Sequence, residues 1–120
     1  MKRATRGRVT PVDGYRSKLE RDYALNLRAR QRIGEIEWWG YECLRLKLGE
    51  GAWFTPDFIV MNGHGALSAH ETKGFRREAA MVRLKVAASL FPWLPLFLVS
   101  RLAGGFRIEE VPVGMAPKGA

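Results

Sequence analysis

The stretch Trp53 to Lys73, WFTPDFIVMNGHGALSAHETK, decides how the rest of this chain is read. Two β-type apolar runs flank a turn in which Asn62-Gly63 and Gly65 tolerate positive φ, so Phe54 to Met61 and Leu67 to Lys73 are expected to pair as a hairpin. With Asn62 to Ala66 as the loop, Met61 faces Leu67, and counting outward pair by pair brings Asp57 opposite Glu71. Side chains alternate along a strand, so Glu71 and Lys73 share a face and Thr72 turns the other way. Two carboxylates and one ammonium are therefore expected to converge on one side of a sheet. A slip of one residue in register would separate them.

Two acids held opposite each other repel unless a cation accompanies them. Lys73 is one candidate, and a divalent metal is a stronger one; hard oxygen ligands suit Mg2+ or Mn2+ rather than zinc. Pro56-Asp57, followed 14 positions after the aspartate by Glu71-Thr72-Lys73, resembles the PD-(D/E)xK nuclease signature. The fuller pattern of Ser17-Lys18-Leu19-Glu20, Thr55-Pro56-Asp57-Phe58 and Glu71-Thr72-Lys73-Gly74 resembles small phage and prophage proteins of that superfamily. It is also similar in layout to phage endonucleases that resolve branched DNA. The resemblance covers roughly Ser17 to Val99. It implies a metal-dependent endodeoxyribonuclease with Asp57, Glu71, Lys73 and Glu20 as its catalytic residues. One or two metal ions would be held by Asp57, Glu71, Glu20 and the backbone carbonyl of Thr72. The plainer alternative is a surface hairpin with a Glu71–Lys73 pair, since an acid, a gap and E-x-K recur by chance.

At 120 residues the chain is long enough for one domain and one core. Its formal charge of +8 points to a polyanionic partner, with nucleic acid the first candidate. A single cysteine, Cys43, rules out an internal disulfide and suits a reducing cytoplasm; the resemblance to phage proteins implies that of a bacterial host cell. MKRATRGRVT lacks the apolar core of a secretory signal. The longest apolar run, Leu90 to Val99, is interrupted by Pro92 and Pro95 and falls short of the roughly 20 residues that a membrane span takes.

Residues 1–16 are expected to form a flexible basic arm, 17–112 a single nuclease-like domain and 113–120 a frayed tail. Arg3, Arg6, Arg8 and Arg16 in the arm, with Lys18, would track DNA phosphates, or else simply keep a tail solvated. Ser17 to about Ile33 has apolar residues at helical spacing, Leu19, Tyr23 and Leu27, and Gly34 stands where a C-terminal glycine belongs. Ser17-x-x-Glu20 matches a capping box, so Glu20 either caps this helix or completes the metal site; the two roles are expected to exclude each other.

Glu35 to Leu48 reads as strand material interrupted near Gly40. Trp38, Trp39 and Trp53 are either core residues or platforms for unpaired bases. Phe75 to about Leu90 is expected as a second helix with Phe75, Ala79, Val82, Val86 and Leu90 on one face, and Met81, Leu84 and Ala88 broadening it enough to suggest a partner. Arg76 and Arg77 lie within a turn of the site, with Arg83 and Lys85 further along. Leu94 to Ser100 has the pattern of a strand buried on both faces, parallel to the Glu71 strand, and Phe106 to Val111 that of an edge strand.

The expected fold is α/β: an α-β-β-β-α-β core with a mixed sheet flanked by helices, as in restriction endonucleases. Nucleotide-binding glycine loops and a GxSxG elbow are absent, and His64, His70 and Cys43 are too few for zinc. The function expected is endonucleolytic cleavage of branched DNA by a homodimer, because paired cuts need paired sites. A phage nuclease acting on recombination ends or foreign DNA, and an inactive DNA-binding protein with the nuclease fold, are the alternatives.

Overall fold

A computed structural model describes residues 13–74 and 77–113. The elements run α1 (Lys18–Arg32), β1 (Ile36–Tyr41), β2 (Leu46–Gly49), β3 (Ala52–Phe54), β4 (Phe58–Asn62), β5 (Leu67–Thr72), α2 (Arg77–Leu90), β6 (Leu96–Leu102) and β7 (Gly105–Glu110). Five strands form one mixed sheet in the order β1-β4-β5-β6-β7, and β2 and β3 pair separately. Among the described residues the architecture is thus α/β, with two helices and two sheets.

The central hairpin has the register read from its loop. Met61 pairs with Leu67 and Phe58 with His70. The Asn62 side chain accepts from the backbone N–H groups of His64 and Ala66, and Gly65 adopts φ 83, so the turn is closed by the residues that tolerate it. Neighbours along these strands alternate between two cores. Phe58, Val60 and Val99 pack with Tyr23, Ala24 and Leu27 of α1, whereas Ile59, Ala69, Leu96 and Leu98 pack with Leu84, Ala87 and Ala88 of α2. The helices therefore cover opposite faces of the main sheet. As expected, β6 is parallel to β5 and buried on both sides, and β7 forms the edge.

The first helix starts and stops where its sequence says. Ser17 accepts from the Glu20 N–H at 3.0 Å, and the chain leaves the helix through Gly34 at φ 83. Gly34 N–H bonds Gln31 C=O and Glu35 N–H bonds Arg30 C=O, which satisfies the last free carbonyls. Residues 13–16, the end of the expected arm, are described: Tyr15 packs edge-on against Tyr41 at 4.7 Å. The rest of that arm and residues 114–120 of the expected tail lie outside the described residues.

Three expectations need correction. The strand read from Phe54 to Met61 is two strands, because Pro56 has no N–H for a ladder; Phe54 belongs to β3 and only Phe58 onward to β4. The segment Glu35 to Leu48 breaks at Glu42, which has φ 49, and not at Gly40. Gly40 is paired within β1, and a Cβ there would lie 2.7 Å from Cys43 Sγ and 2.9 Å from the Trp38 ring. Finally, α2 turns a different face inward. Ala80, Leu84, Ala87 and Ala88 are buried and Val82, Val86 and Leu90 are exposed. Both series fit a helical period, and the small alanines allow the closer approach to the sheet.

Candidate active site

At the end of the β4–β5 pair the ladder gives way to a clasp made by side chains. The Asp57 N–H donates to Glu71 Oε1 at 2.9 Å, and Asp57 Oδ2 accepts from the Thr72 N–H at 2.9 Å and the Thr72 hydroxyl at 2.8 Å. Each carboxylate thus satisfies a backbone donor that the ending strands would have left bare. Thr72, expected to turn away from its neighbours, joins the cluster because Asp57 lies just beyond the strand and reaches across its edge. Asp57 and Glu71 are both buried.

These acids line a cavity of about 780 Å³. Lys73 and Thr72 reach its wall from β5, Arg83 from α2, Trp53 and Phe54 from the β2–β3 hairpin, and Arg16 and Glu20 from the start of α1. Lys73 extends the parallel ladder by one bond, its N–H donating to Val99 C=O at 2.9 Å. The cavity therefore sits where two sheets and both helices meet.

Burial dominates the electrostatics here. The Asp57 carboxyl titrates well above the usual carboxylate range, first because it is desolvated and then because Glu71 and Glu20 are negative nearby. Glu71 is raised to about 7, again chiefly by burial; the Asp57 N–H, Arg83 and Lys73 oppose the rise without cancelling it. Three hydrogen-bond donors are therefore too few to make this pair comfortable as two anions. A proton, or a cation arriving from solvent, settles it.

Glu20 stands at the helix start and also on the cavity wall. Its Oε1 accepts from the Arg16 N–H at 2.9 Å and the Tyr41 hydroxyl at 2.7 Å, while its carboxylate also lines the cavity and raises both Asp57 and Glu71. The helix-start bond comes from Arg16, one residue outside the expected capping box, and uses one oxygen. Burial and the negative Glu20 also push the Tyr41 hydroxyl far above its usual range, so it stays a donor.

Among the residues expected to meet DNA, Arg16 lines the cavity, while Lys18 and Lys85 are exposed elsewhere. Arg3, Arg6, Arg8, Arg76 and the Arg77 side chain lie outside the described residues. The sequence reading placed Arg83 only further along the helix from the site, and Tyr41 escaped it. Arg83 stands 3.8 Å from Glu71 Oε2 and over the Phe54 ring at 5.3 Å. Tyr41 orients Glu20. A helical count from Gly74 places Arg83 more than two turns away, and only the packing of α2 returns it to the acids.

His70 points to the opposite face as expected, with its Nδ1 2.6 Å from the Tyr23 hydroxyl and its Nε2 3.0 Å from Ser68 Oγ. Burial lowers it to about 4, so it is neutral in the fold near pH 7. Among the described residues no three His, Cys, Asp or Glu side chains are grouped as a metal cluster. The carboxylates lining the cavity offer oxygen only: Asp57 Oδ1, which no hydrogen bond among the described residues reaches, Glu71 Oε2, and Glu20, whose two hydrogen bonds both use Oε1. So few hard donors fit a cation that keeps most of its water, as magnesium does. No known family, curated protein or solved structure matches the chain. Among the described residues no helix is long and apolar enough to cross a membrane.

Proposed function

We propose that this chain is a metal-dependent endodeoxyribonuclease of the PD-(D/E)xK kind, with a restriction-endonuclease-like core, and that it cleaves branched DNA. The observation that carries the proposal is the buried Asp57–Glu71 pair, held together against its own repulsion beside Lys73 and Arg83 in a chain of formal charge +8. Such strain is characteristic of sites that do chemistry. Asp57, Glu71 and Glu20, which line the same cavity, would hold one or two magnesium or manganese ions. When bound, the metal supplies Lewis-acid polarisation of the phosphate and a more acidic water.

The chain's own groups do the rest. Asp57 and Glu71, both raised by burial, would have to be ionised to hold the cation. Lys73 acts as a positive charge on the phosphoryl oxygens and not as a base. Arg83 exchanges its long contact with Glu71 for the same phosphate, and Arg16 takes a neighbouring one. The water oxygen bonds to phosphorus and loses a proton to solvent, the bond from phosphorus to O3′ breaks, and the leaving oxygen takes up a proton from solvent. The exposed Val82, Val86 and Leu90 of α2 support a homodimer, which would supply the second site that paired cuts need.

Incubating the protein with plasmid, linear duplex and four-way junction DNA, with magnesium and with chelator, tests this. Cutting of junctions with magnesium, and its loss in Asp57→Ala and Lys73→Ala variants that still bind DNA, is expected. Normal cutting by both variants overturns the site. Preference for another substrate moves the role to recombination ends or foreign DNA. A second reading, a DNA-binding protein that does not cut, is favoured by one contact: the Arg83 guanidinium lies where it can stand in for the metal beside Glu71. Binding unaffected by chelator, with no cutting in any arm, supports that reading.

A further inference from the structure

The β2–β3 hairpin is joined to the core on one face only. Leu46 and Phe54 turn inward and are buried, at 5% and 2% exposure. Trp53, which pairs with Lys47 across the hairpin, turns outward at 43% exposure. That indole adds nothing to the inner core contact, yet it forms part of the cavity wall that holds Asp57 and Glu71. Two cations attend it: the Arg45 guanidinium lies 4.1 Å from the ring centroid and Lys47 Nζ 5.8 Å. Trp38 and Trp93 are also exposed, but neither lines the cavity.

An exposed aromatic ring flanked by cations matches what an unstacked nucleotide requires. The base takes a ring face, and the cations that lie over the ring in the free protein move to its phosphates. A fully paired duplex keeps its bases stacked on one another and offers the ring nothing. We infer that Trp53, with Arg45 and Lys47, is a platform for an unpaired base, and that it directs this protein to DNA in which a nucleotide beside the cavity is out of the stack. Junction centres, flaps and gaps all present such a nucleotide. The inference names the substrate class of the site proposed above and rests on that reading for cleavage, but not for binding.

Fluorescence anisotropy in chelator, with a labelled single-stranded oligonucleotide and the same sequence as blunt duplex, separates the two. Wild type is expected to prefer the single strand. Trp53→Ala should lose roughly tenfold or more of single-strand affinity while duplex affinity stays the same, and Trp53→Phe should retain most of it. Circular dichroism checks that the hairpin variants fold, and Trp53→Phe keeps the test valid if the alanine variant does not. Equal losses on both DNAs, or no loss on either, overturn the platform. If the variants behave as expected but wild type never cuts with magnesium, the nuclease reading fails and the platform stands.

Discussion

Replacing Glu71 with glutamine should stabilise the metal-free protein at neutral and alkaline pH. Glutamine keeps the oxygen that accepts the Asp57 N–H at 2.9 Å and removes only the charge. The carboxyl it replaces is raised from 4.5 to about 7 in the fold. Below about pH 4.5 both folded and unfolded chains carry the proton and the fold is not penalised. As pH rises to about 7 the unfolded chain ionises first, so stability falls with pH, by on the order of 3 kcal/mol once the folded pKa is passed. Asp57 acts in the same sense, since its carboxyl is also raised. His70 acts in the opposite sense: lowered to about 4, it contributes stability that is present above its ordinary value of 6.5 and lost as pH falls toward 4. Wild type alone therefore shows a flattened profile over this range. The difference between variant and wild type cancels the histidine, because both chains contain it. Urea unfolding in chelator, across about pH 4 to 8, should show the variant gaining on wild type by roughly 3 kcal/mol from the acid end to the alkaline end. Parallel curves would refute the claim that Glu71 is buried in an environment hostile to its charge.

Magnesium should raise the midpoint of wild-type thermal unfolding more above about pH 7 than below it, since the ion competes with the proton on Glu71; calorimetry at several pH values reads this, and Asp57→Ala should abolish it. Arg83→Gln should lower junction cleavage about 100-fold while leaving the fold intact, because the guanidinium is half exposed; single-turnover rates check it, and an unchanged rate removes Arg83 from the site. Phe58→Ala should cost about 3–5 kcal/mol in denaturant unfolding, because Phe58 is fully buried against Tyr23, Trp39 and Tyr41. Gly34→Ala should cost about 1–2 kcal/mol, since φ 83 forces a side chain into the left-handed region at the helix end.

Local chemistry made much of this chain legible. Asn62, Gly65 and the alternation of Phe58 to Met61 define a loop and a register, and in a two-residue period the register dictates that Asp57 and Glu71 meet. Ser17 and Gly34 mark the ends of α1 because capping involves only neighbouring residues. That β5 and β6 run parallel follows from the helical crossover between them, since strands joined this way enter the sheet in the same direction. Other features depended on contacts between elements distant in sequence. Which stripe of α2 turns inward was undecided by period alone, and the approach of Leu84 and Ala87 to the sheet chose it, carrying Arg83 to Glu71. Tyr41 lies 21 residues from Glu20, so no spacing could show that its hydroxyl orients that carboxylate. The elevated titration of Asp57 and Glu71 likewise belongs to the packed protein. An extended chain leaves both acids in water, and only a fold that strips that water away makes them reluctant anions.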